Sequence, residues 1–134
     1  MDREILFKIR QTNEIIQKKL EKIWDIRTQL YGSAVRYKAD VIQTSGNQDM
    51  QEAKIAQVID MEREVNRMIY ELDIQKQKLV NIICRIEKEK YKQVLYRRYI
   101  ECMKIKDIAA AMDKSDVWVK KTHCEALKAF DEIK

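Results

Sequence analysis

The sequence predicts an all-α protein, and three observations predict it. The 134 residues include no proline and only two glycines, Gly32 and Gly46. Charged residues make up 37% of the chain, set among good helix formers. Apolar residues recur at helical spacing over long stretches, with one dense cluster of breakers between them. The architecture expected is a long antiparallel helical hairpin of coiled-coil character, residues 1–86, followed by a C-terminal helix-turn-helix domain, residues 87–134.

The first helix is predicted from about Arg3 to Tyr31. Ile9, Ile16, Ile23 and Leu30 fall seven apart, with Leu20 near the complementary heptad position and Trp24 and Ile26 widening the stripe, a pattern that suits a coiled-coil seam. Between Gly32 and Asp49 the pattern breaks, most densely at "QTSGNQD", which reads as a loop with some helix around Tyr37 to Ile42. A second helix is predicted from about Met50 to Ile86, with its seam on Ile55, Ile59, Val65, Ile69, Leu72, Leu79, Ile83 and Ile86. At about 1.5 Å per residue it spans roughly 55 Å and needs a partner along its length. The first helix, folded back on it, is the nearest partner. Being shorter, it leaves part of the seam for a second copy of the chain, so a homodimer through the N-terminal helices is expected. Asn13, Glu62 and Lys76, on or beside the seam, then set register.

The segment "EKEKYKQVLYRRYIECM" reads as a further amphipathic helix, separated from the second near Glu87 without a breaker. Two short helices follow, about Ile105 to Met112 and Ser115 to Ile133.

Several function classes are excluded on residue types. The three cysteines, Cys84, Cys102 and Cys124, form no Cys-x-x-Cys, and the single histidine, His123, cannot build a zinc site. His123 and Cys124 are neighbours, but adjacent helical residues point about 100° apart, which is poor geometry for a catalytic pair. Without a glycine-rich phosphate loop or a nucleophile–base set, no enzyme activity and no cofactor are expected. The absence of an 18-residue apolar run or a signal-peptide pattern leads to the expectation of a cytoplasmic protein with no membrane partner. Residues 85–134 hold 13 Lys/Arg against 9 Asp/Glu, so most of the net charge of +5 lies at the C-terminal end. That excess favours a nucleic-acid partner only modestly.

The stretch "IAAAMDKSDVWVKK" meets the steric demands of a helix-turn-helix. Ala109 supplies the small residue where two helices cross closely. Asp113 sits where the turn needs left-handed backbone, one of the few types besides glycine that accept it. Ser115 can cap the second helix. Ile108, Met112, Val119, Ala126, Leu127 and Phe130 have the spacing to pack between the helices.

"VLYRRYIECMKIKDIAAAMDKSDVWVKKTHCEALKAF", Val94 to Phe130, resembles the −35-binding domain of bacterial sigma factors. Leu95, Arg98-Tyr99, Ile108-Ala109, Ser115, Val119 and Ala126-Leu127 match its pattern in order, over about a quarter of the chain. As a whole the chain is similar to small phage and prophage proteins of Gram-positive bacteria, the ArpU- and RinA-type regulators of late genes, and "YKADVIQTSGNQDM" also resembles theirs. The resemblance implies a transcriptional regulator in the bacterial cytoplasm that binds double-stranded DNA. It places Asp116, Val117, Lys120 and Lys121 at the major groove, with Trp118 beside them; Ser115, Lys114 and Arg98 join them as candidate DNA contacts read from the residues. Lys120 and Lys121 keep the sigma character, phosphate contact and hydrogen bonding to guanine edges. Asp116 and Val117 depart from it, where sigma factors carry arginine and glutamate, so the target is expected to differ from the −35 element.

Asp116 has two readings. It compensates the helix dipole, worth about 0.3–1 kcal/mol, or it accepts a hydrogen bond from cytosine N4. Trp118 either reaches a thymine methyl or packs on basic side-chain stems of the preceding helix. Arg97 and Arg98, beside Tyr96 and Tyr99, either clamp a phosphate or leave Arg98 to pair with Glu125. A DNA-packaging component of small-terminase type, and a protein that contacts RNA polymerase or a sigma factor, stand as the alternative functions.

Overall fold

A computed structural model describes the backbone of residues 1–37 and 45–134 and the side chains of residues 1–31 and 49–134. The described chain is all-α: α1 (Glu4–Tyr37), α2 (Ser45–Ile83), α3 (Glu89–Leu95), a π-helical turn (Tyr96–Ile100), α4 (Ile105–Met112) and α5 (Asp116–Asp131). No helix among the described residues is long and apolar enough to cross a membrane.

α1 runs on past its expected C-terminal end, and α2 starts earlier than expected. α2 takes in Ser45 and Gly46 from the breaker cluster, where the cost of poor helix formers is small because first-turn amides have no intrahelical partner anyway. The helix expected over 37–42 lies almost wholly outside the described residues. Since α1 has 34 residues and α2 has 39, the shortfall in length that pointed to a second copy narrows without closing. α2 ends at Ile83, three residues short of the expected end. Its last bonds tighten to the three-residue type, Arg85 N to Ile82 O and Ile86 N to Ile83 O, both 3.0 Å, and both Ile83 and Ile86 are buried.

The chain divides into two compact units, Glu14–Tyr70 and the combination of Met1–Asn13 with Glu71–Lys134. In the first, Ile16, Ile23 and Ile26 of α1 and Val58 and Val65 of α2 are buried. Lys19 Nζ meets Glu64 at 3.1 Å, Arg27 pairs with Glu62, and Lys54 Nζ reaches Gln29 Oε1 at 3.5 Å. Partner numbers fall as α1 numbers rise, so here the two segments run side by side in opposite directions.

The α2 seam is corrected by this packing. Ile55, Ile59 and Ile69 are exposed by 38–47%. The buried residues step by sevens through Val58, Val65, Leu72, Leu79 and Ile86. On α1 the same holds for Leu20 and Trp24, which lie outside the core while Ile26 is inside it.

In the second unit, Leu6 and Ile9 join Leu72, Leu79, Ile83 and Ile86 as buried residues. α5 packs on α3 and α4 and buries Val119, Thr122, Ala126 and Phe130, the i, i+3, i+7, i+11 spacing of one helical face. Val94, Ile108, Ala109 and Val119 form a cluster with Met103, Ile105, Met112 and Trp118 against it. Arg3 holds Asp131 through two parallel bonds, Nε to Oδ1 at 2.8 Å and Nη2 to Oδ2 at 2.6 Å. This pairing raises the guanidinium pKa and lowers that of the carboxyl.

Candidate functional site

Asp113 ends α4 in the left-handed conformation, φ 56° and ψ 48°. The turn returns its amides to the helix: Lys114 N to Ala109 O at 2.9 Å and Asp113 N to Ala110 O at 3.3 Å. This is the Schellman pattern usually centred on glycine. A short polar side chain tolerates it where a branched one would strain. Ser115 follows in extended backbone, φ −79° and ψ 158°, and its Oγ accepts from Trp118 N at 3.1 Å. With Ala109 at 3% exposure, the crossing has the small residue it needs. The start of α5 is therefore fixed by three local devices: a left-handed stop, a side-chain cap and a close helix crossing.

The opposite side of α5's first turns is open. Ser115, Asp116, Val117, Lys120 and Lys121 are all exposed, Val117 by 75%. Asp116 lies in the first turn, where a carboxylate meets the positive end of the helix dipole. Val117, Lys121, Cys124 and Lys128, spaced by 4, 3 and 4, continue this exposed stripe. Lys128, which shares this stripe, was not among the expected contacts.

Trp118 is not on that edge. Its ring is half-buried against the Val94–Ile108–Ala109–Val119 cluster, and Lys114 Nζ lies 5.3 Å from the ring centroid. Trp118 thus packs inward beneath the Lys114 ammonium, and Lys114 is partly committed to it.

Arg98 has also been drawn inward. Nη1 donates to Met103 O at 2.9 Å, and Nε is buried without a partner. Burial, with Arg10 nearby, lowers its pKa. The bridge expected to Glu125 is not made, since Glu125 Oε2 instead accepts from Tyr91 Oη at 3.1 Å. The π-helical turn explains the change. Glu101 N bonds Tyr96 O at 3.1 Å and Met103 N bonds Arg97 O at 2.9 Å, so the backbone widens here, and Cys102 closes it in left-handed backbone, φ 57°. Arg98 then ties the connection into α4. Of the aromatic-basic cluster, Tyr96 is exposed and Arg97 half-exposed, while Tyr99 is buried.

Buried Tyr99 meets half-buried His123 of α5, ring centroids 5.7 Å apart and planes at 30°. Burial raises the tyrosine pKa. It lowers that of the imidazole, helped by Arg98, Arg10 and Arg3. Among the described residues no group of three His, Cys, Asp or Glu can hold a metal ion. Cys84 and Cys124 are exposed free thiols and Cys102 is half-buried. Comparison of the chain with protein-family models, with curated proteins and with solved structures finds no match.

Proposed function

We propose that the chain is a sequence-specific regulator of transcription that binds double-stranded DNA as a homodimer held by its N-terminal helices. In this reading the first two turns of α5 enter the major groove. One observation carries it: Asp116, Val117, Lys120 and Lys121 project from a helix start whose other side is locked into the core. Base reading needs rigid side-chain origins, and the Asp113 turn with the Ser115 cap supplies them. Lys120 and Lys121 then serve phosphates and guanine edges, Val117 offers an apolar contact to a thymine methyl, and Asp116 accepts from cytosine. The resemblance to sigma-like phage regulators makes phage or prophage genes the target class. Selection of bound duplexes from a random pool, followed by affinity measured against salt, tests the reading. A consensus with two half-sites and an affinity falling steeply with salt is expected. No binding to any duplex near about 100 mM salt would remove it.

Val117 also favours a second reading, in which the same edge docks on a protein such as RNA polymerase. A large exposed valine among lysines suits a partner with an apolar, acidic pocket as well as it suits DNA. Co-purification with polymerase in the absence of DNA would select it.

A further inference from the structure

From the exposed apolar residues of Glu14–Tyr70, we infer that one face of this unit is the surface on which a second copy of the chain docks. Leu20, Trp24 and Tyr31 of α1 and Ile55, Ile59 and Ile69 of α2 make up the face. This deepens the dimeric part of the proposed function by naming the surface.

Two ion pairs define the sides of the unit. Arg27 and Glu62 pair on one side, Lys19 and Glu64 on the other. Leu20, Trp24 and Tyr31 sit at i, i+4 and i+11 and share the Arg27 flank. Ile55, Ile59 and Ile69 sit at i, i+4 and i+14 and share the Glu62 flank. The antiparallel course of the two segments brings both flanks to one face.

Trp24 and Tyr31 are exposed by 70% and 69%, the four aliphatic residues by 38–47%. Since a large aromatic buries on the order of 150–250 Å², the six residues offer roughly 600–700 Å². That is close to the ~800 Å² each partner gives to a standard interface. It also lies at or above the ~300–600 Å² that the largest patch of a monomer reaches.

Charge selects the occupant. Between the two stripes the charged side chains are Arg27 and Glu62, and they pair with each other. At the centre of the face a covering surface meets no unpaired charge, with Arg63, one turn after Ile59, at its edge, so a second copy of this same apolar face fits without burying one there. The opposite side carries Lys19, Lys22 and Lys54 with Asp60 and Glu64, so two copies meeting there would bury charged side chains.

Sedimentation equilibrium of the full chain without DNA tests this, comparing wild type, the double variant Trp24→Glu/Ile59→Glu, and Ile15→Glu. Ile15 is 39% exposed and falls on the Lys19 flank, so it controls for adding a carboxylate to an exposed apolar site. The wild type and Ile15→Glu are expected to be dimers, with the double variant dissociating at least about 100-fold more readily. Circular dichroism is expected to show unchanged helix content, because neither replaced side chain belongs to the core. In a Trp118→Phe background, where Trp24 is the remaining tryptophan, emission is expected to move to shorter wavelength as concentration rises. A wild type that stays monomeric overturns the inference, whether solvent or residues 38–44 meet the face. A double variant that still dimerises, or an assembly larger than two, also overturns it. DNA does not enter the measurement, so a dimer that binds no DNA leaves this face standing and removes only the regulator reading.

Discussion

Tyr99 Oη and His123 Nε2 lie 2.9 Å apart, joining the π-helical turn to α5 across 24 residues of sequence. Burial and three nearby guanidinium groups lower the imidazole pKa from its ordinary 6.5. The tyrosine hydroxyl donates to Nε2 or accepts from it according to the tautomer of the neutral imidazole, whereas a protonated ring makes both nitrogens donors and places a charge in a half-buried site.

The first prediction follows from this pair. A histidine whose folded pKa lies below its unfolded value contributes stability that is complete above about 6.5 and is lost as pH falls. The unfolded chain binds the proton first, so stability rises with pH through this window. Melting temperature measured from pH 7.5 to 5.5, where most carboxylates stay ionised, is expected to fall in the wild type. The fall should be smaller in His123→Gln, whose amide does not titrate. Equal slopes would show that the imidazole does not carry the effect.

A second prediction concerns the left-handed turn. Asp113 holds φ 56°, and glycine adopts this backbone without the cost a Cβ imposes. Asp113→Gly is expected to leave stability unchanged or raise it by up to about 1 kcal/mol. Asp113→Val is expected to lower it by about 1–2 kcal/mol, because a β-branched residue fits left-handed backbone worst. Urea midpoints of the two variants check the order.

The Ser115 cap gives a third. Its Oγ satisfies the Trp118 amide at the exposed start of α5, so Ser115→Ala is expected to cost about 1 kcal/mol and Ser115→Asp to restore most of it. Hydrogen exchange at the first amides of α5 should report the loss locally, before global stability moves much.

The C-terminal helices were far more legible than the long ones, for a physical reason. The positions of Asp113, Ser115 and Ala109 are local demands of a turn, a cap and a close crossing, each met by a residue type the sequence displays. The α2 seam is a choice between neighbouring stripes, made by whatever packs against the helix. Three isoleucines at 55, 59 and 69 outweigh Val58 in hydrophobicity, yet the seven-residue step through 58, 65, 72 and 79 is the one that is buried. Hydrophobicity ranks the stripes and geometry selects one. The inward turn of Arg98 was equally hidden, since it depends on the widened backbone at Tyr96–Ile100. So was the joining of Arg3 to Asp131, which depends on two chain segments meeting across 128 residues.

The last prediction separates the roles of the exposed residues on α5. A side chain that touches only phosphate weakens binding to every sequence alike, whereas one that reads a base edge changes which sequence is preferred. Lys121 lies one turn after Val117 on the exposed stripe, so Lys121→Ala is expected to relax preference at one base pair, at a cost of about 1–3 kcal/mol. Lys114 sits at the turn, partly held by Trp118, and Lys114→Ala is expected to weaken all duplexes by a similar, smaller factor. Each lost phosphate contact should flatten the slope of log affinity against log salt by about 1. Asp116→Asn keeps the size of the side chain and removes its charge. If Asp116 reads cytosine, the variant changes the selected base at one position. If Asp116 only compensates the helix dipole, the variant keeps the consensus, binds more tightly through reduced repulsion of phosphate, and loses about 0.3–1 kcal/mol of stability. Selection on all three variants, with wild type alongside, distinguishes these outcomes in one experiment.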